Sequence, residues 1–68
     1  MAADWQRFVG RRARLTSAAV GGMVEGEIAG LEDNAGRAVA IVRDDKGNMH
    51  RAPVDEIREA RLVFHWKG

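Results

Sequence analysis

The sequence predicts a small all-β fold, a barrel of five strands with a short N-terminal helical segment and a single helical turn before the last strand. Segments in which apolar and polar residues alternate recur at short intervals, separated by clusters of Gly, Asp and Asn, as in small barrels and sandwiches. Pro53 cannot donate to a sheet ladder, so it marks the end of a strand. From Ala60 onward a period of two resumes, which predicts a closing strand. Closure of the barrel by that strand would remove exposed sheet edges.

The first four strands are predicted between these turn clusters, at residues 12–16, 23–31, 38–43 and 49–52. In the first strand, Ala13 and Leu15 should point inward. The second strand should place four residues on one face, and its glycines should allow the strand to bend sharply; these residues are Val24, Gly26, Ile28 and Gly30. Turns are expected at residues 17–22, 32–36 and 44–47.

The N-terminal helical segment is predicted from three apolar residues that follow Asp4. Trp5, Phe8 and Val9 have the spacing of one helix stripe. One or two turns fit before Gly10, a usual helix-ending residue. Such a short helix is stable only if its aromatic side chains dock on the barrel, so both are expected in the core.

The segment after Pro53 is predicted to form one helical turn and then the last strand. Asp55 should cap the turn, and Ile57 and Ala60 should face the core. In the last strand, alternate residues should point to the same side: Leu62, Phe64 and Trp66 one way, and Arg61, Val63 and His65 the other.

Length and composition indicate a single domain over residues 1–68, near the smallest size that a hydrophobic core alone supports. The longest strongly apolar run, residues 38–42, is far too short to span a bilayer. The start, Met1 to Asp4, lacks the basic and apolar regions of a signal peptide. These features predict a soluble intracellular domain that makes no membrane contact.

Catalytic and metal sites are not expected. The chain has no Cys, and neither His50 nor His65 has a neighbour at ligand spacing. Asp44 and Asp45 lie in a predicted turn, where Asp commonly bonds to the local backbone. We therefore predict no enzyme activity, no cofactor and no small-molecule substrate.

Three blocks of sequence carry a resemblance to a known family. They are Phe8-Val9-Gly10-Arg11 ahead of an alternating strand, Gly26 within the second strand, and Pro53-Val54-Asp55-Glu56-Ile57 leading to Ala60-Arg61-Leu62-Val63. Together they resemble the C-terminal domain of the bacterial ribosome maturation factor RimP, from about Asp4 to Phe64. The resemblance implies an SH3-like (also described as Sm-like) barrel that accompanies an N-terminal α/β domain in its parent protein. It also implies a non-catalytic role in assembly, by binding the free small ribosomal subunit.

Basic residues crowd both ends of the chain, and neighbouring first and last strands would join them into one surface. We predict a face that contacts rRNA or ribosomal protein through Arg7, Arg11, Arg12, Arg14, Arg58 and Arg61, with Lys67 close by. The net charge is only +1, and acidic residues concentrate around the second strand and its turn. The alternative is a solvated face on which these arginines pair with carboxylates.

Two other functions remain open from the sequence. One is an independent Sm-like or SH3-like RNA-binding module, which would need exposed aromatics for base stacking. The other is a peptide-binding SH3-like adaptor, whose groove would also need exposed aromatics. The chain has only four aromatic residues and no Tyr. Most of the four are expected in the core, so the ribosome-assembly interpretation is favoured.

Overall fold

The computed structural model describes residues 5–64. Five antiparallel strands form one sheet: β1 (Arg12–Ser17), β2 (Gly22–Asn34), β3 (Arg37–Arg43), β4 (Met49–Pro53) and β5 (Glu59–Leu62). Their order across the sheet is β4-β3-β2-β1-β5. Three short 3₁₀ helices span Trp5–Phe8, Ala18–Val20 and Val54–Glu56. The predicted all-β class, a small five-stranded barrel-like fold with an N-terminal helical segment and one turn before the last strand, is confirmed.

The last strand pairs with the first, as the sequence predicted. Ala13 lies opposite Leu62 and Leu15 lies opposite Ala60. This pairing places β1 and β5 side by side, although they lie far apart in the sequence. The sheet is nevertheless open: within residues 5–64, β4 and β5 are each paired on one side only. The described strands make four pairings, and no fifth pairing joins β4 to β5. The 3₁₀ helix at residues 18–20 packs against β4.

A β-bulge in β2 changes which residues face the core. The register with β3 slips between Ile28 and Gly30, which leaves Ala29 without a partner. Before the bulge, three of the residues that were predicted to share a face are buried: Val24, Gly26 and Ile28. After it, Leu31 packs on the core. The prediction for Gly30 was wrong, because one extra residue reverses the alternation.

The core lies between one face of the sheet and the N-terminal 3₁₀ helix. Its buried residues come from that helix and from β1 to β4: Trp5, Ala13, Leu15, Val24, Ile28, Ala40, Val42 and Ala52. The ring centroids of Trp5 and Phe8 are 5.0 Å apart in an edge-to-face arrangement. The predicted docking of these aromatics is confirmed, since Trp5 is buried and Phe8 packs against the cluster.

The β2–β3 turn is tighter than the sequence suggested. Strand β2 continues to Asn34, so only two residues connect it to β3. Ala35 and Gly36 both have positive φ, 54° and 83°, as a two-residue hairpin of the favoured handedness requires. The acidic residues that were predicted in the turn, Glu32 and Asp33, therefore lie on the strand.

Two predictions for the last third of the chain were wrong. Asp55 does not cap the turn, since the helix begins at Val54 and its cap position is Pro53, which makes no side-chain cap hydrogen bond. Phe64 does not join Leu62 in the core, because β5 ends at Leu62 and 62% of Phe64 is exposed. Ile57 and Ala60 do pack on the core, as predicted. The predictions for Asp4, His65, Trp66 and Lys67 fall outside the described residues.

Candidate functional site

The outward face of β1 and β2 is a set of ion pairs. Arg14 lies directly opposite Glu25 in the strand register, and its Nη2 is 3.1 Å from a Glu25 carboxylate oxygen. Arg12 lies 3.3 Å from the other oxygen and also forms a bidentate pair with Asp45, at 3.0 and 3.1 Å. Hydrogen bonds from Arg14 and then Arg12 lower the pKa of Glu25. Two of the predicted contact arginines are thus already paired with carboxylates.

The same compensation extends across the rest of the sheet. Glu27 pairs with Arg43 at 2.7 Å, and Glu32 pairs with Arg51 at 3.1 Å. Arg37 bridges the two acidic residues of the 3₁₀ turn before β5, at 2.8 and 3.1 Å. Such exposed pairs contribute little to stability. They do neutralise the acidic strand locally, so this face attracts neither sign of charge strongly.

On β5, the predicted arginines separate. Arg61 lies opposite Arg14 and donates to its neighbour Glu59 at 3.0 Å. Arg58 precedes the strand, and its amide donates to the Thr16 carbonyl at 2.8 Å. It therefore lies beside the C-terminal end of β1, about 16 Å along the extended strand from Arg11.

A groove of about 410 Å³ forms where the N-terminal 3₁₀ helix meets the end of β5. Its lining residues are Arg7, Phe8, Arg11 and Leu62. Within residues 5–64, neither of the two arginines lies within ion-pair distance of a carboxylate. The groove thus combines two available guanidinium groups with an apolar wall, an arrangement suited to an anionic group attached to an apolar one.

The backbone around Arg11 is held firmly in place. Its amide donates to the Phe8 carbonyl at 2.9 Å, and its carbonyl accepts from the amide of Ile28, also at 2.9 Å. The amide of Gly10 donates to the Ile28 carbonyl at 2.8 Å. Gly10 has a φ of +85°, which a side chain would disfavour. This turn anchors the helix to β2 and sets the position of one side of the groove.

One residue of this region was not predicted from the sequence to be exposed. Phe64 follows Leu62 by two residues, so its Cα lies at most about 7 Å from that of Leu62. It is the most exposed of the large apolar side chains in the described part of the chain. Its exposure follows from the end of the β1–β5 pairing at Leu62. The alternation of apolar and polar residues does not show where that pairing ends.

The β3–β4 hairpin tip contains the second notable cluster. The carboxylate of Asp44 accepts hydrogen bonds from the amides of Lys46 and Asn48, both at 2.9 Å, and it lies 2.8 Å from His50 Nε2. The hydrogen bond with His50, then that from Asn48, lowers the pKa of Asp44 to about 2. The predicted backbone bonding is confirmed for Asp44. His50 is engaged with this carboxylate.

We expect the stabilisation provided by Asp44 to depend on pH in the acid range. Its folded-state pKa is depressed from 3.8 to about 2, so its contribution is complete above the unfolded value and is lost as pH falls toward about 2. Thermal unfolding of the wild type and of Asp44→Asn, followed from neutral pH downward, should show a difference in Tm that shrinks in this range. A difference that stays constant with pH would contradict the assignment.

Of the six predicted contact residues, only Arg7 and Arg11 line the groove, while Arg12, Arg14 and Arg61 carry carboxylate partners and Arg58 lies apart.

Within residues 5–64, no helix is long and apolar enough to cross a bilayer. Comparison with known proteins adds no assignment to this geometry. No family model matches the chain, and no solved structure matches it significantly.

Proposed function

We propose that the protein is a non-catalytic ribosome-assembly domain that contributes to binding of the free small ribosomal subunit during its maturation. It would act in the bacterial cytoplasm, together with the N-terminal domain of a RimP-like parent protein. The observation that carries the proposal is the groove. Its residues come from the two separate blocks that resemble the RimP domain, since Arg7, Phe8 and Arg11 lie in or beside the first block and Leu62 lies in the last.

The chemistry of the groove supports binding. Arginine stays protonated throughout the physiological range, so it neither donates nor removes protons as a general acid or base. Phe8 and Leu62 carry no reactive group. What the lining supplies is positive charge with a fork of donors, which matches phosphate and carboxylate oxygens in bidentate fashion. A ribosomal subunit offers both groups, on rRNA and on ribosomal proteins.

The near-neutral remainder of the surface also supports a local contact. The net charge is +1, and the arginines of β1, β3 and β4 are paired with carboxylates of the sheet or of its adjoining turns. Generic attraction to any polyanion should therefore be weak. Binding that depends on Arg7 and Arg11 would be confined to one edge of the molecule.

The alternative is an independent Sm-like or SH3-like module that binds RNA or protein outside the ribosome. The exposure of Phe64 favours it, because the sequence had suggested that exposed aromatics were lacking. Such a module would bind short ligands without preferring one ribosomal subunit over the other.

A pull-down of free small and large subunits by the 68-residue chain tests the proposal. We expect weak but selective retention of small subunits, at low and at physiological salt, because the α/β domain would supply the rest of the interface. The double variant Arg7→Gln with Arg11→Gln should lose most of this retention. Lys46→Gln with Arg51→Gln, which removes the same charge from the β3–β4 hairpin, should retain small subunits as the wild type does.

Equal retention of both subunits that vanishes with modest salt would overturn the proposal, because it indicates non-specific phosphate attraction. Loss of retention in the charge-matched control would overturn it as well, since net charge alone would then account for binding.

A further inference from the structure

We infer that the groove binds a single-stranded RNA segment, with backbone phosphates on Arg7 and Arg11 and a base stacked on Phe64. This inference rests on the proposed function and specifies which component of the subunit the groove contacts. It follows from three features of one edge of the fold: available guanidinium groups, an aromatic surface and a groove of suitable size.

The first feature is charge. Among the residues described, the arginines of β1 and β3 and Arg51 of β4 make ion pairs with carboxylates. Arg7 and Arg11 do not, and both line the same groove. They are four residues apart across the end of the N-terminal 3₁₀ helix. Guanidinium groups without a carboxylate partner can bind phosphate oxygens without first giving up an existing ion pair.

The second feature is the aromatic surface. Phe8 forms part of the groove wall and is held edge-to-face by Trp5. Phe64 follows the lining residue Leu62 by two residues, which places it at the rim of the groove, and 62% of it is exposed. The amide of Val63 still donates to the Arg12 carbonyl at 2.8 Å, which ties this part of the chain to β1. An exposed aromatic ring at the edge of a positively charged groove is the combination that single-stranded nucleic-acid sites use.

The third feature is size. A volume of about 410 Å³ lies within the range of about 300–1,000 Å³ that is typical of sites for small ligands. An unpaired nucleotide can enter such a groove, whereas the bases of a duplex are stacked inside the helix and cannot offer their faces to an aromatic ring. The groove should therefore prefer single strands over duplexes.

An acidic peptide is the competing occupant. It would satisfy both guanidinium groups, but it would use Phe64 only where an apolar side chain happens to fall on it. Every base of a single strand presents a π face, so RNA uses the rim regardless of sequence. The observations therefore favour RNA.

Fluorescence anisotropy of labelled oligonucleotides tests the inference with the full 68-residue chain. The probes are a short unstructured RNA, a duplex RNA of the same length and an acidic peptide of equal charge. We expect the single strand to bind more tightly than the duplex or the peptide. Phe64→Ala should weaken single-strand binding about 5- to 150-fold, the range for loss of one stacked base.

The arginine variants provide the second part of the test. Arg7→Gln with Arg11→Gln should weaken binding at least about tenfold. It should also reduce the magnitude of the slope of log affinity against log salt by about 1.4, as expected for two lost phosphate contacts on a single strand. Lys46→Gln with Arg51→Gln should leave both quantities unchanged. All variants are compared by circular dichroism, so that a folding defect is detected separately.

The outcomes separate this inference from the proposed function. Equal or tighter binding of the duplex or the acidic peptide would overturn the inference, while selective small-subunit retention would leave the proposed function standing. Single-strand binding without any preference for small subunits would support the groove as an RNA site and reject the ribosomal assignment. An affinity for RNA that Phe64→Ala leaves unchanged would also overturn the inference.

Discussion

Replacing Gly26 with alanine is expected to lower the free energy of unfolding by about 3 kcal/mol or more, at the upper end of the cost of overpacking. A Cβ atom at this position would clash with the backbone carbonyl oxygen of Arg43, would lie 2.8 Å from the carbonyl carbon of that residue and 3.0 Å from Val42 Cγ1. Because the obstacle is backbone of the neighbouring strand, β3 must move away from β2. Thermal unfolding by circular dichroism should show a decrease in Tm of more than about 10 °C.

The same strand offers a matched control. A Cβ atom at Gly30 would meet nothing within 4 Å, and the backbone there does not need a positive φ. Gly30→Ala should therefore change stability by no more than about 1 kcal/mol, and alanine in a strand can even be stabilising. Similar Tm values for the two variants would contradict the close approach of β2 and β3.

Leu15→Ala is expected to lower the free energy of unfolding by about 2–5 kcal/mol. Leu15 is among the largest side chains that are fully buried, and it lies in β1, which pairs with both β2 and β5. Truncation leaves a cavity, and because β1 is paired on both sides, the surrounding strands cannot easily move in to fill it. Urea unfolding measures this loss of free energy. The slope of the transition also shows whether the unfolded state has changed.

Met23→Ala serves as the comparison for Leu15→Ala. Met23 is 58% exposed although it is also a large apolar residue of a paired strand. Its truncation should cost well under 1 kcal/mol, as is usual for surface substitutions. A larger loss for Met23→Ala than for Leu15→Ala would show that the inward face of the barrel has been assigned to the wrong side.

The alternation of the sequence was sufficient to predict the inward face wherever the strands are regular. Ala13, Leu15 and Ile28 follow a period of two, and all three are buried. The period fails at Ala29, because a bulge adds one residue without leaving a mark in composition. It fails again at Phe64, since the end of a strand depends on where its partner ends. Both errors arise from pairing between strands and not from the local sequence.

The contact arginines illustrate the same distinction. Their concentration at both ends of the chain was visible in the sequence, and so was the adjacency of β1 and β5. Which of them carry carboxylate partners depends on strand register, since Arg14 meets Glu25 only because these two residues are directly opposite. The groove depends further on where the N-terminal helix docks against β2. A pattern of charges alone could not separate Arg7 and Arg11 from Arg12 and Arg14.

We propose that the groove edge of the barrel faces the small ribosomal subunit, and site-specific photo-crosslinking tests this contact most directly. A benzophenone amino acid is placed at Phe64, beside the groove, or at Met49, which is 54% exposed on β4. After irradiation with purified free small subunits, the chain labelled at Phe64 should form crosslinks to the subunit and the chain labelled at Met49 should not. Crosslinks from Met49 alone, or equal yields from both positions, would contradict the account.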